Sequence, residues 1–114
     1  LNLSIDIQER EHHSIIFVQG EVDVYTAEQL KKSLIPLTEE TENLVEVNLD
    51  GVRYMDSTGL GILIGAWKSA KKHHSHLKLV QLNNRLMRLF KVTGLDQMMD
   101  IHPIKQGGNQ YENV

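Results

Sequence analysis

Tyr54-Met55-Asp56-Ser57-Thr58-Gly59-Leu60-Gly61 separates a run with strand character from a run with helical spacing. Asp, Ser and Thr are helix-capping residues, because their side-chain oxygens accept the backbone N–H groups that a first helical turn leaves unpaired. The stretch therefore reads as the turn by which a strand becomes a helix. Downstream, Leu60, Leu63, Ile64 and Trp67 recur at i, i+3, i+4 and i+7, which predicts a helix running to about Lys72. Lys68, Lys71 and Lys72 near its end complement the helix dipole. Upstream, Leu44, Val45, Val47 and Leu49 predict a strand closed by Asp50-Gly51. A serine in such a turn is surface-accessible at the positive end of a dipole, a place suited to a phosphate; the plainer reading is that Asp56 or Ser57 only caps the helix.

Working outward, Leu3, Ile5 and Ile7 alternate with polar residues, Glu9 to His13 is polar, and Ile15 to Val18 is a second apolar run ending at Gly20. Together they predict an opening hairpin. Thr26 followed by Gln29 fits a capping box, with Ala27, Leu30 and Leu34 on one helical face and Pro36 ending or kinking the helix near Leu37. Leu77, Leu79 and Val80 predict a further strand, with Leu82 near its end. Asn83 or Asn84 then caps a helix that turns Leu86, Leu89 and Phe90 inward and stops at Gly94. Met98 to Ile101 reads as a short last strand. Residues 1–105 form one domain on this reading, and 106–114, with Gly107-Gly108 and no apolar period, a flexible tail.

A hairpin followed by alternating helix and strand implies an α/β domain with a mixed sheet of four to five strands and helices packed on it. If the middle strands run parallel, their carboxyl ends share one rim, where open α/β sheets place their sites. That rim would collect Glu21 to Thr26, Asp56 to Gly61, and Asn83-Asn84.

Composition removes several classes of function. With no cysteine there is no disulfide and no thiol chemistry, and a net charge of −3 argues against a nucleic-acid binder. No apolar run approaches the ~20 residues of a membrane span, which makes a cytoplasmic protein the expectation. A nucleophile elbow needs glycine two residues before its serine, and Met55 stands there. The six histidines fall elsewhere: His12 and His13 in the hairpin turn, His73, His74 and His76 beyond the helix, and His102 near the end. Ser57 thus has no base beside it, and no catalytic residue is assigned. His73-His74-x-His76 reads as a solvated turn, because adjacent histidines seldom point at one metal. Gly59-Leu60-Gly61 lacks the lysine of a phosphate-binding loop, so a small nucleotide-binding domain is the weaker alternative and no cofactor is assigned. Gly61 and Gly65 are expected to let the helix lie close against the sheet.

Three blocks then carry a resemblance. Gly20-Glu21-Val22-Asp23-Val24-Tyr25-Thr26-Ala27, the Tyr54 to Gly61 stretch, and Arg88-Leu89-Phe90 with Thr93-Gly94-Leu95 resemble the bacterial anti-sigma factor antagonists, small STAS-domain proteins. The likeness spans about residues 1–102 and is strongest to the branch serving the general-stress sigma-B system. It implies a partner switch rather than an enzyme. The unmodified protein would bind an anti-sigma factor that is also a serine kinase, so releasing the sigma factor. The kinase would inactivate it at Ser57, and a metal-dependent serine phosphatase would restore it. The resemblance assigns Asp23, Tyr25, Thr26, Asp56, Ser57, Thr58, Gly59, Leu60 and Gly61 to partner binding. Some relatives act instead as scaffold modules of stress-sensing assemblies.

Overall fold

The computed structural model describes residues 2–105. The opening alternation forms strand β1, Leu3–Arg10, paired antiparallel with β2, His13–Val22. The chain continues through α1 (Ala27–Thr38), β3 (Leu44–Met55), α2 (Ser57–Lys72), β4 (His76–Leu82), α3 (Asn84–Val92), a 3-10 turn (Leu95–Gln97) and β5 (Asp100–Pro103). The five strands lie side by side in chain order, and β2 to β5 are parallel. Each step from β2 onward goes the same way across the sheet, and right-handed crossovers that always step the same way stack their helices on one side. The core fits that layout. Ile16 and Val18 of β2, Val45, Val47 and Leu49 of β3, and Leu77 and Leu79 of β4 share one buried cluster with Leu30 and Leu34, Leu63 and Ala66, and Leu86 and Phe90 from the three helices. On the opposite face Phe17, Glu46, Asn48 and Lys78 stay half-exposed, so among the described residues the sheet is clad on one side only.

Several boundaries differ from the sequence reading. The hairpin turn is only Glu11-His12, with His12 in the left-handed region (φ 61°), and β2 runs past Gly20 to Val22. Gly20 (φ 109°) lies so close to β1 that a Cβ would fall 2.0 Å from the Asn2 carbonyl oxygen. Close backbone approach, not strand termination, is what the glycine permits. Likewise Asp50-Gly51 does not close β3. The strand passes through it: one register shift against β2 falls between Asn48 and Gly51, which pairs with Gln19, and a second between Val52 and Tyr54. Asp50 N–H turns aside to donate to Asn48 Oδ1 at 3.0 Å, which marks the irregularity.

The capping box at Thr26 is absent. Thr26 Oγ1 donates to the Glu21 carbonyl at 2.8 Å instead of accepting from the first turn of α1. Pro36 is accommodated within the last turn of α1, which ends at Thr38. The last strand begins at Asp100, two residues later than expected, because the 3-10 turn takes up Leu95–Gln97. Residues 106–114, read from sequence as a tail, lie outside the described residues.

Candidate functional site

The carboxyl ends of β2, β3 and β4 meet at one rim, and each leads into a helix. At the first, Asp23 organises its own loop. Its Oδ1 accepts from Tyr25 N–H at 2.9 Å and Thr26 N–H at 3.1 Å, while Thr26 Oγ1 accepts from Asp23 N–H at 3.0 Å. With both polar ends of the loop tied inward, Val24 and Tyr25 are turned out and stand 64% and 89% exposed.

At the second junction Asp56, in extended conformation, is the N-cap of α2. Its Oδ1 accepts from Thr58 N–H at 2.9 Å and Gly59 N–H at 3.3 Å. Asp56 N–H donates to the Val22 carbonyl at 3.2 Å, which ties this turn to the end of β2. Ser57 is the first residue of the helix, exposed, and its hydroxyl has no hydrogen-bond partner among the described residues. Capping and display are thus divided between neighbours: Asp56 caps, and Ser57 is left open. Asn83 repeats the device at the third junction, accepting from Leu86 N–H at 2.9 Å and donating through Nδ2 to the Val52 carbonyl at 3.2 Å.

The nine residues assigned to partner binding are brought to this rim but do not share one exposure. Thr26, Gly59 and Leu60 are buried, whereas Asp23, Tyr25, Asp56, Ser57, Thr58 and Gly61 are half-exposed or exposed. Gly59 has no clearance. A Cβ there would lie 2.7 Å from Val22 Cγ1 and 2.8 Å from Met55 Cγ. The close approach of helix to sheet is therefore made by Gly59, not by Gly61 and Gly65 as the sequence suggested. At 3.6 residues per turn, Gly61 lies roughly 200° round the helix from Gly59. Both Gly61 and Gly65 are exposed, with nothing near an added Cβ. Sequence reasoning placed Val24 on the rim with Glu21 to Thr26 but did not single it out. It missed a groove beside α3, for which the signal was Arg85, Arg88 and Val92 at i, i+3 and i+7.

The opposite end of the sheet is chemically different. His13 opens β2 and His76 opens β4, while His12, His73 and His74 occupy the adjoining turns. His13 Nε2 is 3.2 Å from Glu46 Oε1. Asp100, on the edge strand, lies 2.7 Å from His76 Nε2 and 2.6 Å from His102 Nε2. Burial pushes its carboxyl up, but the hydrogen bonds and charge of the two imidazoles outweigh that and hold it below the usual carboxylate range. Among the described residues no three His, Asp or Glu side chains are disposed to hold a metal ion. Nor, among the described residues, is any helix long and apolar enough to cross a membrane.

Known proteins share this architecture. The sequence profile described as STAS domain matches residues 4–107. The chain is 42% identical over 110 residues to the anti-sigma-B factor antagonist of Bacillus subtilis (strain 168), covering 96% of this chain and all of that protein. In structure it is similar to an anti-sigma factor antagonist from Mycobacterium paratuberculosis, with TM-score 0.78 at 23% identity, over 89% of this chain and 86% of that one. It is also similar to the Bacillus cell fate determinant SpoIIAA in the phosphorylated form, with TM-score 0.69 at 17% identity, over 97% and 99%. The five-stranded sheet in chain order, the three helix starts on its rim and these likenesses agree: the chain belongs to the STAS-domain family of anti-sigma factor antagonists.

Proposed function

We propose that this protein works in the cytoplasm as a phosphorylation-controlled partner switch in general-stress transcription. Unmodified, it binds an anti-sigma factor that is also a serine kinase and so frees the sigma factor. Phosphorylation of Ser57 by that kinase ends the binding, and a metal-dependent serine phosphatase restores it. The observation that carries this reading is the unpartnered hydroxyl of Ser57, exposed at the head of α2 while Asp56 does the capping. A kinase can reach that oxygen without opening any hydrogen bond of the fold. The 42% identity to a protein named for antagonising an anti-sigma-B factor supports the partner class, and the phosphorylated form of a structural relative supports the modification.

The charge argument gives the direction of the switch. A phosphoserine adds about −1.5 to −2 charge. The Thr58 and Gly59 N–H groups that would welcome an anion are already held by the Asp56 carboxylate. The phosphate therefore projects outward, next to a carboxylate, into the space a partner occupies. The fold is untouched, whereas an interface must desolvate an uncompensated dianion at a cost of about 3–5 kcal/mol, on the order of a hundredfold or more in affinity.

The test is to incubate the protein with Mg-ATP and its cognate anti-sigma factor, then map phosphate by mass spectrometry. One phosphate on Ser57 is expected, and none in Ser57→Ala. Phosphate that persists in that variant on Thr58 would sink the assignment.

A further inference from the structure

Between the end of β3 and α3 a groove of about 350 Å³ opens onto the same edge of the molecule as Ser57. Its floor is apolar, made by Met55, Leu86 and Leu89. Tyr54 and Val92 form its shoulders and are 48% and 74% exposed. Three of the chain's four arginines, Arg53, Arg85 and Arg88, stand round it. None of them joins an ion pair among the described residues. In a chain of net charge −3 this is a local concentration of unpaired cations around an apolar trough.

We propose that the groove receives an acidic, amphipathic segment of the anti-sigma factor, with its apolar side chains on the floor and its carboxylates against the three guanidiniums. The idea rests on the partner switch proposed above and adds to it a second point of attachment and the chemistry of the segment that fills it. Charge complementarity is the first argument, because the planar guanidinium fork is built to take carboxylates in pairs. Continuity is the second. Met55 directly precedes Asp56-Ser57, and Asn83, at the groove's end, bonds back to the Val52 carbonyl, so groove and serine sit on one rigid edge. Shape is the third. Small-molecule sites enclose most of their ligand, whereas this trough leaves its shoulders in solvent, as a surface for a chain segment does. Arg and Tyr are also the residue types that dominate the energetics of protein interfaces.

The test compares wild type, Arg85→Glu/Arg88→Glu, Val92→Asp and Ser57→Asp in calorimetric titrations with the cognate anti-sigma factor at two salt concentrations. The two arginines and Val92 are surface residues, so thermal melts should match wild type. The arginine double variant is expected to bind about tenfold or more weakly and with a flatter salt dependence. Val92→Asp is expected to weaken binding as well. Methyl resonances of Leu86, Leu89 and Val92 should shift when the anti-sigma factor is added. If Ser57→Asp loses binding while both groove variants keep wild-type affinity, the groove is overturned and the partner switch stands. If wild type does not bind at all, the functional reading fails and takes the groove with it. Two further arms name other occupants: those methyls moving with sub-micellar laurate and not with the anti-sigma factor, or moving with protein concentration alone, each overturn the proposal.

Discussion

The two ends of the sheet are built from different materials. At the carboxyl rim, Asp23, Asp56 and Asn83 spend their side-chain oxygens on backbone N–H groups, Val24, Tyr25, Ser57 and Gly61 stand exposed around the first two, and the unpaired charges are the arginines beside α3. At the amino end, imidazoles and carboxylates meet one another, as in the pairing of Asp100 with His76 and His102. Around Asp23 and Asp56 the first rim keeps its polar groups occupied inward, and such a surface is covered at little desolvation cost. The other keeps its charges in solvent, where they are well hydrated and costly to cover. The difference teaches that an acid can lie on a rim and still be spent on the loop that carries it.

Breaking the carboxyl rim should have the largest effect. Ser57→Asp places a carboxylate beside Asp56 and is expected to weaken anti-sigma binding by roughly tenfold or more in a calorimetric titration, with unchanged melting. Unaltered affinity would contradict the assignment of Ser57 to the interface. The next contrast lies within α2. Gly59→Ala forces a Cβ onto Val22 and Met55 and is expected to destabilise by ~1–3 kcal/mol in urea unfolding. Gly61→Ala and Gly65→Ala are expected to be neutral or to stabilise by up to ~1 kcal/mol, since they gain helix propensity without a clash.

A smaller effect separates neighbours. Asp56→Ala removes the cap and is expected to cost ~0.5–2 kcal/mol, whereas Ser57→Ala is expected to stay within ~0.5 kcal/mol of wild type. An equal loss in both would mean that the serine shares the capping. At the other end, replacing His73, His74 and His76 together is expected to leave anti-sigma affinity unchanged, because a helix of 16 residues separates them from Ser57.

The smallest effect concerns acid. The Asp100 carboxyl is depressed in the folded state, so its contribution to stability is complete above the ordinary carboxylate pKa of about 4 and is lost as pH falls through the lower folded value. Solvent screens the site, so the effect is slight. Thermal melts between pH 5 and 3 should fall off less steeply for Asp100→Asn than for wild type.

Much of this was legible in the sequence because periodicity reports burial directly. Leu30 and Leu34, Leu63, and Leu86 and Phe90 lie inward as their spacing predicts. The turns were harder, since one residue type serves several geometries. Asp50-Gly51 has the composition of a strand terminator, yet here glycine only makes room for Gln19 on the neighbouring strand. Thr26 and Gln29 have the spacing of a capping box, but the hydroxyl is taken up by the loop before the helix, accepting from Asp23 N–H and donating to the Glu21 carbonyl, which the spacing alone does not encode. Gly61 and Gly65 illustrate a third kind of failure. Glycines four apart define a helical stripe without telling which way it faces, and the direction is set by Leu63 and Ala66.

The irregular pairing of β3 has a consequence for how chains of this kind drift. From Asn48 to Met55, β3 contributes two residues more than β2 does from Phe17 to Val22, and both surplus residues are absorbed before pairing ends at Val22 and Met55. The strand behaves as a vernier: its surplus length sets which way the chain faces when it leaves the sheet, while the sheet itself is unchanged. Each surplus residue is a bulge that resets the inward-outward alternation, so Leu49, Val52 and Met55 all face the core although they are three apart. Loss of one codon between 48 and 51 would take out the first bulge and leave Val52 opposite Gly20, whereas the same loss within the regular stretch Leu44 to Asn48 would turn the wrong face of the strand inward.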